Sequence, residues 1–289
     1  MKMLRTRSCI FLASAAVLVA GSTLARAADP REGFSFGSCT LTGKPNTISL
    51  TTLEKDTLTV ATPLPNPGWW NGTSPSSISS GFEYCLAADI AYRAGLHHLK
   101  IVNMAWDQYI SGTSTGYDIA LGSTTITPAR QKVFNFSRPY FSAGLGVATL
   151  PSNNISEGNV KAKRIAVLQG NVGADWVTHI LKPQSVLVYQ SSPDMFTALM
   201  AHQIDAVVTD TTLALTQAKM SNGNIRVVGQ YNVDQGYGII TAKTSVNTQA
   251  IDKAVAELAA DGTLKQLSKT YLQPMFGVSP DSVPVWSLK

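Results

Sequence analysis

The chain has 289 residues, with 23 Lys and Arg against 18 Asp and Glu. Residues 1–27 read as an export leader: Lys2, Arg5 and Arg7 form a basic start, Cys9 to Ala20 is an apolar run too short to cross a membrane as a helix, and Ala25-Arg26-Ala27 fits the small-x-small rule, so cleavage is expected near Ala27. That leader carries off Lys2, Arg5, Arg7 and Arg26 and no acid, so the formal charge drops from +5 to +1 and argues for neither nucleic acid nor an anionic membrane as partner. Cys9 opens the apolar run and does not follow it, which is not the place of a lipid-modified cysteine. The 262 residues that remain are enough for two lobes with separate cores.

Residues 28–56 are rich in Gly, Ser and Thr, and read as an irregular N-terminal extension. Cys39 lies in it; Cys85 is the other cysteine left after cleavage. In an oxidising compartment the two either pair or stay as thiols, since sequence gives no distance. Neither has metal-ligand spacing. Thr57 to Ala61 alternates and is the first strand. A loop dense in Pro, Gly and Ser follows. Trp69 and Trp70 within it either pack on a lobe or face a ligand. Asn71-Gly72-Thr73 matches a glycosylation sequon, a weak sign behind a bacterial-looking leader. Phe82 to Gly95 is a helix, Leu99 to Met104 a strand, and Trp106-Asp107 opens a short helix through Ile110. Tyr117 to Leu121 is an apolar run and reads as a buried strand. Ser123, Thr124 and Thr125 bring hydroxyls and backbone N–H groups. Thr127-Pro128 then signals a helix start, with Thr as N-cap and Pro in the first turn. This puts Arg130 at the positive end of a helix, an awkward place for a cation unless an anion joins it.

Gly144 to Leu150 reads as a crossing into a second lobe. Its strands are Arg164 to Leu168, Leu187 to Tyr189, Ile204 to Val208 with Thr209-Asp210 at the end, and Ile225 to Val228. Helices are expected from about Ala174, from the Ser192-Pro193 signal, and over Thr211 to Met220. Gly236 to Thr241 reads as the return crossing. Thr248 to Leu258 and Thr263 to Tyr271 are closing helices, and the proline-bearing tail from Gln273 is expected to wrap a surface. The result is an α/β chain of two lobes: 57–144 plus 237–289 as lobe one and 145–236 as lobe two. A boundary crossed twice gives a hinge and a cleft.

Catalytic signatures are missing: there is no G-x-S-x-G elbow, no P-loop and no G-x-G-x-x-G after a strand. His97, His98, His179 and His202 lack ligand spacing. Two residues stand out, Arg130 after the Thr-Pro signal and Asp210 at a strand end. Singly, each has a bland reading: a solvated or paired helix cation, and a helix N-cap before Thr211. Together, facing each other across a cleft, they match a zwitterion, Arg to carboxylate and Asp to ammonium.

An ordered set of motifs resembles the periplasmic amino-acid-binding proteins of ABC importers, the family 3 solute-binding proteins. Gly81-Phe82-Glu83 resembles the family's GFD, Trp106-Asp107 its aromatic-Asp pair, and Ser123 to Arg130 its SMTITPER. Phe136 to Tyr140 resembles FSxPY, Ile204 to Asp210 resembles xDAVxxD, and Asp261-Gly262-Thr263 resembles DGT. The resemblance implies a type II periplasmic binding fold of two open βα sheets with the ligand between the lobes. It implies that Arg130, helped by Ser123 and Thr125, clamps an α-carboxylate, that Asp210 holds the α-ammonium, and that Trp106 covers the side chain. Where the family has Ser or Thr after Gln169-Gly170, Asn171 stands, so it or backbone N–H groups would have to make that carboxylate contact. Pro63 replaces the Asp of cationic-amino-acid binders, which speaks against Lys or Arg as ligand and for a neutral or aromatic-tolerant one. Trp69 and Trp70 remain candidates for the pocket wall. The expected partners are an amino acid and a membrane permease, with no nucleic acid, metal or cofactor, and the protein is expected to be a periplasmic monomer. The rival on the same scaffold is a periplasmic dehydratase of the cyclohexadienyl type, which needs a cleft acid or base. A ligand-sensing domain is a third reading and needs a separate membrane partner.

Overall fold

Residues 31–233 and 236–288 are described by a computed structural model; the leader and its cleavage near Ala27 lie outside the described residues. Strand β1 (Thr57–Thr62) is buried along nearly its whole length, as expected of a central parallel strand covered on both faces. Helix α1 (Phe82–Arg93) has all twelve residues buried, so it is a core helix with no solvent face. Strand β2 (His98–Asn103) pairs parallel with β1, with Val60 opposite Ile101. The short helix α2 (Trp106–Ile110) leads to β3 (Ile119–Ala120), parallel to β1 on its other side. Strands β4 (Phe134–Phe136) and β5 (Phe141–Ser142) follow.

The second unit is built from β6 (Leu145–Thr149), β7 (Arg164–Leu168), α3 (Val172–Trp176), β8 (Ser185–Tyr189), α4 (Ser192–Met200), β9 (Ala206–Asp210), α5 (Thr211–Met220) and β10 (Arg226–Tyr231). The chain returns through β11 (Gly236–Tyr237) into β12 (Ile240–Ala242), then closes with α6 (Thr248–Ala260), α7 (Thr263–Leu267) and α8 (Gln273–Phe276). The described residues form two five-stranded sheets, ordered β2-β1-β3-β12-β4 and β10-β6-β9-β7-β8. Between them the crossings pair with each other, β5 antiparallel to β11, with Phe141 opposite Tyr237.

Local signals acted mostly as expected, with instructive exceptions. Thr127 caps: its Oγ accepts the Arg130 N–H at 3.2 Å. Only one 3-10 turn forms there, Arg130–Lys132, because the chain enters β4 two residues later and pairs with β12. A one-turn segment has little macrodipole, so the expected conflict between Arg130 and a helix dipole mostly disappears. For α4 the cap is Ser191, whose Oγ accepts the Asp194 N–H at 3.3 Å, while Ser192 and Pro193 lie inside the first turn.

The extension is fastened to the first sheet. Cys39 and Cys85 form a disulfide with Cα atoms 5.3 Å apart, tying residue 39 to α1. Asp118 accepts the N–H groups of Leu53 and Thr59, both at 2.8 Å. Asp89 accepts the Thr42 N–H at 2.7 Å, and burial raises its carboxyl to about 6. The tail behaves differently from the rest of 237–289. Past Gly277 it lies on the second sheet's edge strand: Gln230 donates through Nε2 to the Pro280 and Val283 carbonyls at 2.8 and 3.0 Å, and the Trp286 N–H donates to the Gln230 carbonyl at 2.7 Å. Gly229 admits the Trp286 ring, since a Cβ there would sit 2.0 Å from it.

Candidate functional site

Four strand ends converge between the sheets. From the first sheet come the loop after β3, with Ser123, Thr125 and Arg130, and the start of α2, with Trp106. From the second come the turn after β7, with Gly170 and Asn171, and the end of β9, with Asp210. The Arg130 guanidinium is buried, at 8% exposure. Its Nη1 donates to the Thr125 carbonyl at 2.7 Å and its Nη2 to the Gly170 carbonyl at 2.8 Å, one bond to each lobe. Further N–H donors remain on the same group. Gly170 suits the turn because its φ of +71° is costly for any residue with a Cβ. Trp106 holds the same turn, its Nε1–H donating to the Gln169 carbonyl at 2.9 Å. The indole lies 5.7 Å from the Arg130 Cζ and stacks on Tyr109. Thus the lobes touch at the cleft, through two side chains of the first and one turn of the second.

Asp210 occupies the N-cap position of α5, yet its side chain makes no capping bond. One oxygen, Oδ2, accepts the Asn171 Nδ2–H at 2.9 Å. The other, Oδ1, is buried with no hydrogen-bond partner. Burial pushes the carboxyl above its ordinary value, against the Asn171 amide, the Tyr237 hydroxyl and the Arg130 charge, which favour the ionised form. The Tyr237 hydroxyl does so without closing a well-formed bond to Oδ1. Arg130 in turn is pulled down by burial and supported first by Asp210. An unpaired buried carboxylate oxygen is costly, and a cationic donor is the partner that removes the cost.

The remaining expected site residues divide between the cleft and the core of the first lobe. Ser123 does not point its amide at the cleft: its N–H donates to Glu83 Oε1 at 2.6 Å and its Oγ to the same oxygen at 3.3 Å. Thr125 is buried beside Arg130 and faces Tyr237 in an isolated bridge. Asn171 places its side chain on Asp210 and on the start of α3, with Oδ1 accepting the Gly173 N–H at 2.7 Å. Trp70 is a core residue, and its Nε1–H donates to Glu83 Oε2 at 2.6 Å. Trp69 is 2% exposed and packs edge-on against Phe82, Phe141 and Tyr237, and so against both crossing strands. The packing alternative therefore describes this pair.

Sequence reasoning named Glu83 only as part of the Gly81-Phe82-Glu83 resemblance and gave it no role. It is fully buried and collects Trp70, Ser123 and the Tyr140 hydroxyl. Burial raises its carboxyl while these donors pull it down. The available signal was an acid in the first turn of a helix with no polar face. Tyr109 and Tyr237 were missed too; their hydroxyls meet Thr124 Oγ1 at 2.8 Å and Thr212 Oγ1 at 3.4 Å. Among the described residues no group of His, Cys, Asp and Glu is placed to hold a metal ion.

Comparison with known proteins agrees with this geometry. The chain is 26% identical over 197 residues to the L-cystine-binding protein TcyJ of Escherichia coli (strain K12), covering 66% of this chain and 74% of that one. An ancestral arginine-binding protein bound to arginine has a similar structure, with a TM-score of 0.67 and 28% identity, over 75% of this chain and 98% of that one. The ancestral amino acid-binding protein AncCDT-1, a precursor of cyclohexadienyl dehydratase, shares the fold at a TM-score of 0.65 and 23% identity, over 75% and 96% of the two chains. The family of bacterial extracellular solute-binding proteins, family 3, matches residues 73–274. With two lobes closing on a buried Arg130 and Asp210, and with that match spanning most of its length, the chain belongs to the family 3 extracellular solute-binding proteins.

Proposed function

We propose that this protein captures a free amino acid in the interlobe cleft and delivers it to the permease of an ABC importer. The ligand's α-carboxylate pairs with Arg130 beside Thr125, and its α-ammonium pairs with Asp210. The observation that carries the reading is the unpartnered, buried Oδ1 of Asp210, on the opposite side of the cleft from a buried guanidinium. A zwitterion satisfies both at once, and such charge-assisted bonds with apolar burial reach micromolar affinity, near about −8 kcal/mol. Trp106 covers the ligand side chain. Pro63, where cationic-amino-acid binders carry Asp, favours a neutral side chain. The protein works as a periplasmic monomer after loss of its leader, and no helix among the described residues is long and apolar enough to cross a membrane.

It acts as a carrier and not as an enzyme. The dehydratase alternative needs a cleft acid or base to act on the bound molecule; Glu83 is already engaged by Trp70, Ser123 and Tyr140, and the open carboxylate oxygen of the cleft, on Asp210, is assigned here to the ligand ammonium. The test is calorimetry on mature protein that has been unfolded, stripped of ligand and refolded, against free amino acids and simple carboxylates. Binding of at least one neutral amino acid, and much weaker binding of its des-amino analogue, is expected. No amino acid bound across the panel overturns the proposal, and turnover of prephenate or arogenate would replace it with the enzyme.

A further inference from the structure

Asn171 stands in the cleft with each end of its side-chain amide held by one hydrogen bond. It is 8% exposed, and its two ends are held by groups of opposite character. The Gly173 N–H, 2.7 Å away, can only donate, so it selects the amide oxygen. The amide nitrogen is thereby left to face Asp210 Oδ2 at 2.9 Å. Flipping the amide would set N–H against N–H and carbonyl against carboxylate, two repulsive contacts in place of two bonds. The anchor is itself rigid. A Cβ on Gly173 would meet Asn171 Oδ1 at 3.0 Å, the Val208 carbonyl at 3.1 Å and Leu145 Cδ2 at 3.4 Å, so the first turn of α3 is seated against β9.

Resting on the amino-acid reading above, we propose that Asn171 is a positioning residue, which locks the Asp210 carboxylate through Oδ2 and so leaves Oδ1 to a ligand ammonium. It makes no carboxylate contact of its own. The backbone turn orients the amide, and the amide orients the acid. Asp210 needs this because it is buried and the Asn171 amide makes the one well-formed side-chain hydrogen bond to its carboxylate among the described residues. The titratable groups around it are Arg130 from the first lobe and the Tyr237 hydroxyl from the crossing, with Asp175 of α3 acting on Arg130. Burial opposes its charge, and the Asn171 bond is first among the influences that restore it.

Two variants separate this role from that of a simple helix cap. Both Asn171→Ser and Asn171→Asp keep a capping oxygen for the Gly173 N–H; Asn171→Ser replaces the amide donor to Asp210 with the hydroxyl of a shorter side chain, and Asn171→Asp replaces it with an acceptor. The first readout needs no ligand: carbon-13 NMR titration of the aspartate carboxyls, with the Asp210 signal assigned by its loss in Asp210→Asn. Asn171→Ser is expected to raise the Asp210 titration by about half a unit to one unit. Asn171→Asp is expected to give a coupled pair that shares one proton near neutral pH. The second readout is calorimetry at pH 7 with each L-amino acid of the panel. Affinity is expected to fall about tenfold in Asn171→Ser and about a hundredfold in Asn171→Asp, with the melting temperature held. An unmoved Asp210 titration in both variants overturns the proposal. Equal affinity in wild type and Asn171→Asp overturns it as well. A shifted titration in a protein that binds no amino acid supports the locking of Asp210 and overturns the ammonium as its purpose.

Discussion

Glu83 and Asp210 are two buried carboxylates, one in each lobe, and burial raises both. Their partners differ. Each Glu83 oxygen accepts bonds, from Ser123 and Tyr140 on one side and Trp70 on the other. Asp210 has one oxygen on Asn171 and one on nothing. A carboxylate surrounded by donors is a structural anchor; here it holds Ser123 at a φ of +50°, and with it the loop that carries Thr125 and Arg130. The half-satisfied carboxylate of the pair is the one that the proposed ligand ammonium completes. Equal burial therefore says little about role, and the count of donors decides it.

The strongest way to break the contrast is to remove the ligand side of it. Asp210→Ala and Arg130→Ala are each expected to weaken amino-acid binding by about a hundredfold or more, while the unliganded protein stays folded with little change in melting temperature. Calorimetry and thermal melts check both halves; intact binding in either variant would remove that residue from the site. Glu83→Ala should behave in the opposite way. It leaves the Trp70 indole, the Ser123 amide and the Tyr140 hydroxyl without their acceptor, and a loss of about 3 kcal/mol of stability is expected, read by chemical denaturation. If Glu83→Ala melts like wild type and only binding suffers, the anchor role is wrong.

A pH series sharpens the comparison further. Asp210 titrates above its ordinary 3.8 in the folded, unliganded protein. An ammonium pairs only with the ionised form, so affinity is complete above the raised value. It declines as pH falls through that value, by up to about tenfold per pH unit. The unliganded protein shows the reverse sign for this group: its proton is held more tightly when folded, so ionisation lowers stability as pH rises from 3.8 through the raised value. Calorimetry from acid to neutral pH should find the decline in wild type, and a flat profile would show that Asp210 does not carry the ammonium. The smallest effect is expected from Trp106→Phe. The ring still covers the cleft, but the bond to Gln169 across the lobes is lost. A weakening of about three- to tenfold is expected, seen in calorimetry mainly as faster ligand release in a companion stopped-flow trace.

Much of this molecule was legible without coordinates. The strand over Arg164–Leu168 and the helices over Trp106–Ile110 and Thr211–Met220 stand where periodicity and end signals put them. Those signals act between neighbours in the chain, and neighbours are visible in a sequence. The motif order that pointed to the family was legible as well. Length of the element after Thr127-Pro128 was not legible, because it is set by β4 pairing with β12, more than a hundred residues on.

What only the tertiary structure decided involves partners far apart in the chain. Trp70 could face a ligand or a core, and it was the placement of Glu83 on α1, 13 residues later, that turned it inward. Ser123 could serve a ligand, and the same acid, 40 residues earlier, claimed it. Asn171 could meet a carboxylate, and Asp210, 39 residues later, holds it instead. The tail could lie on its own lobe, and Gly229 gave Trp286 a place on the other. Local propensity determines which segments are helix or strand, because its terms are contained within a few residues. Which polar atom is satisfied and which is left open depends on where two sheets bring their loops together, and that is settled only when the whole chain has folded.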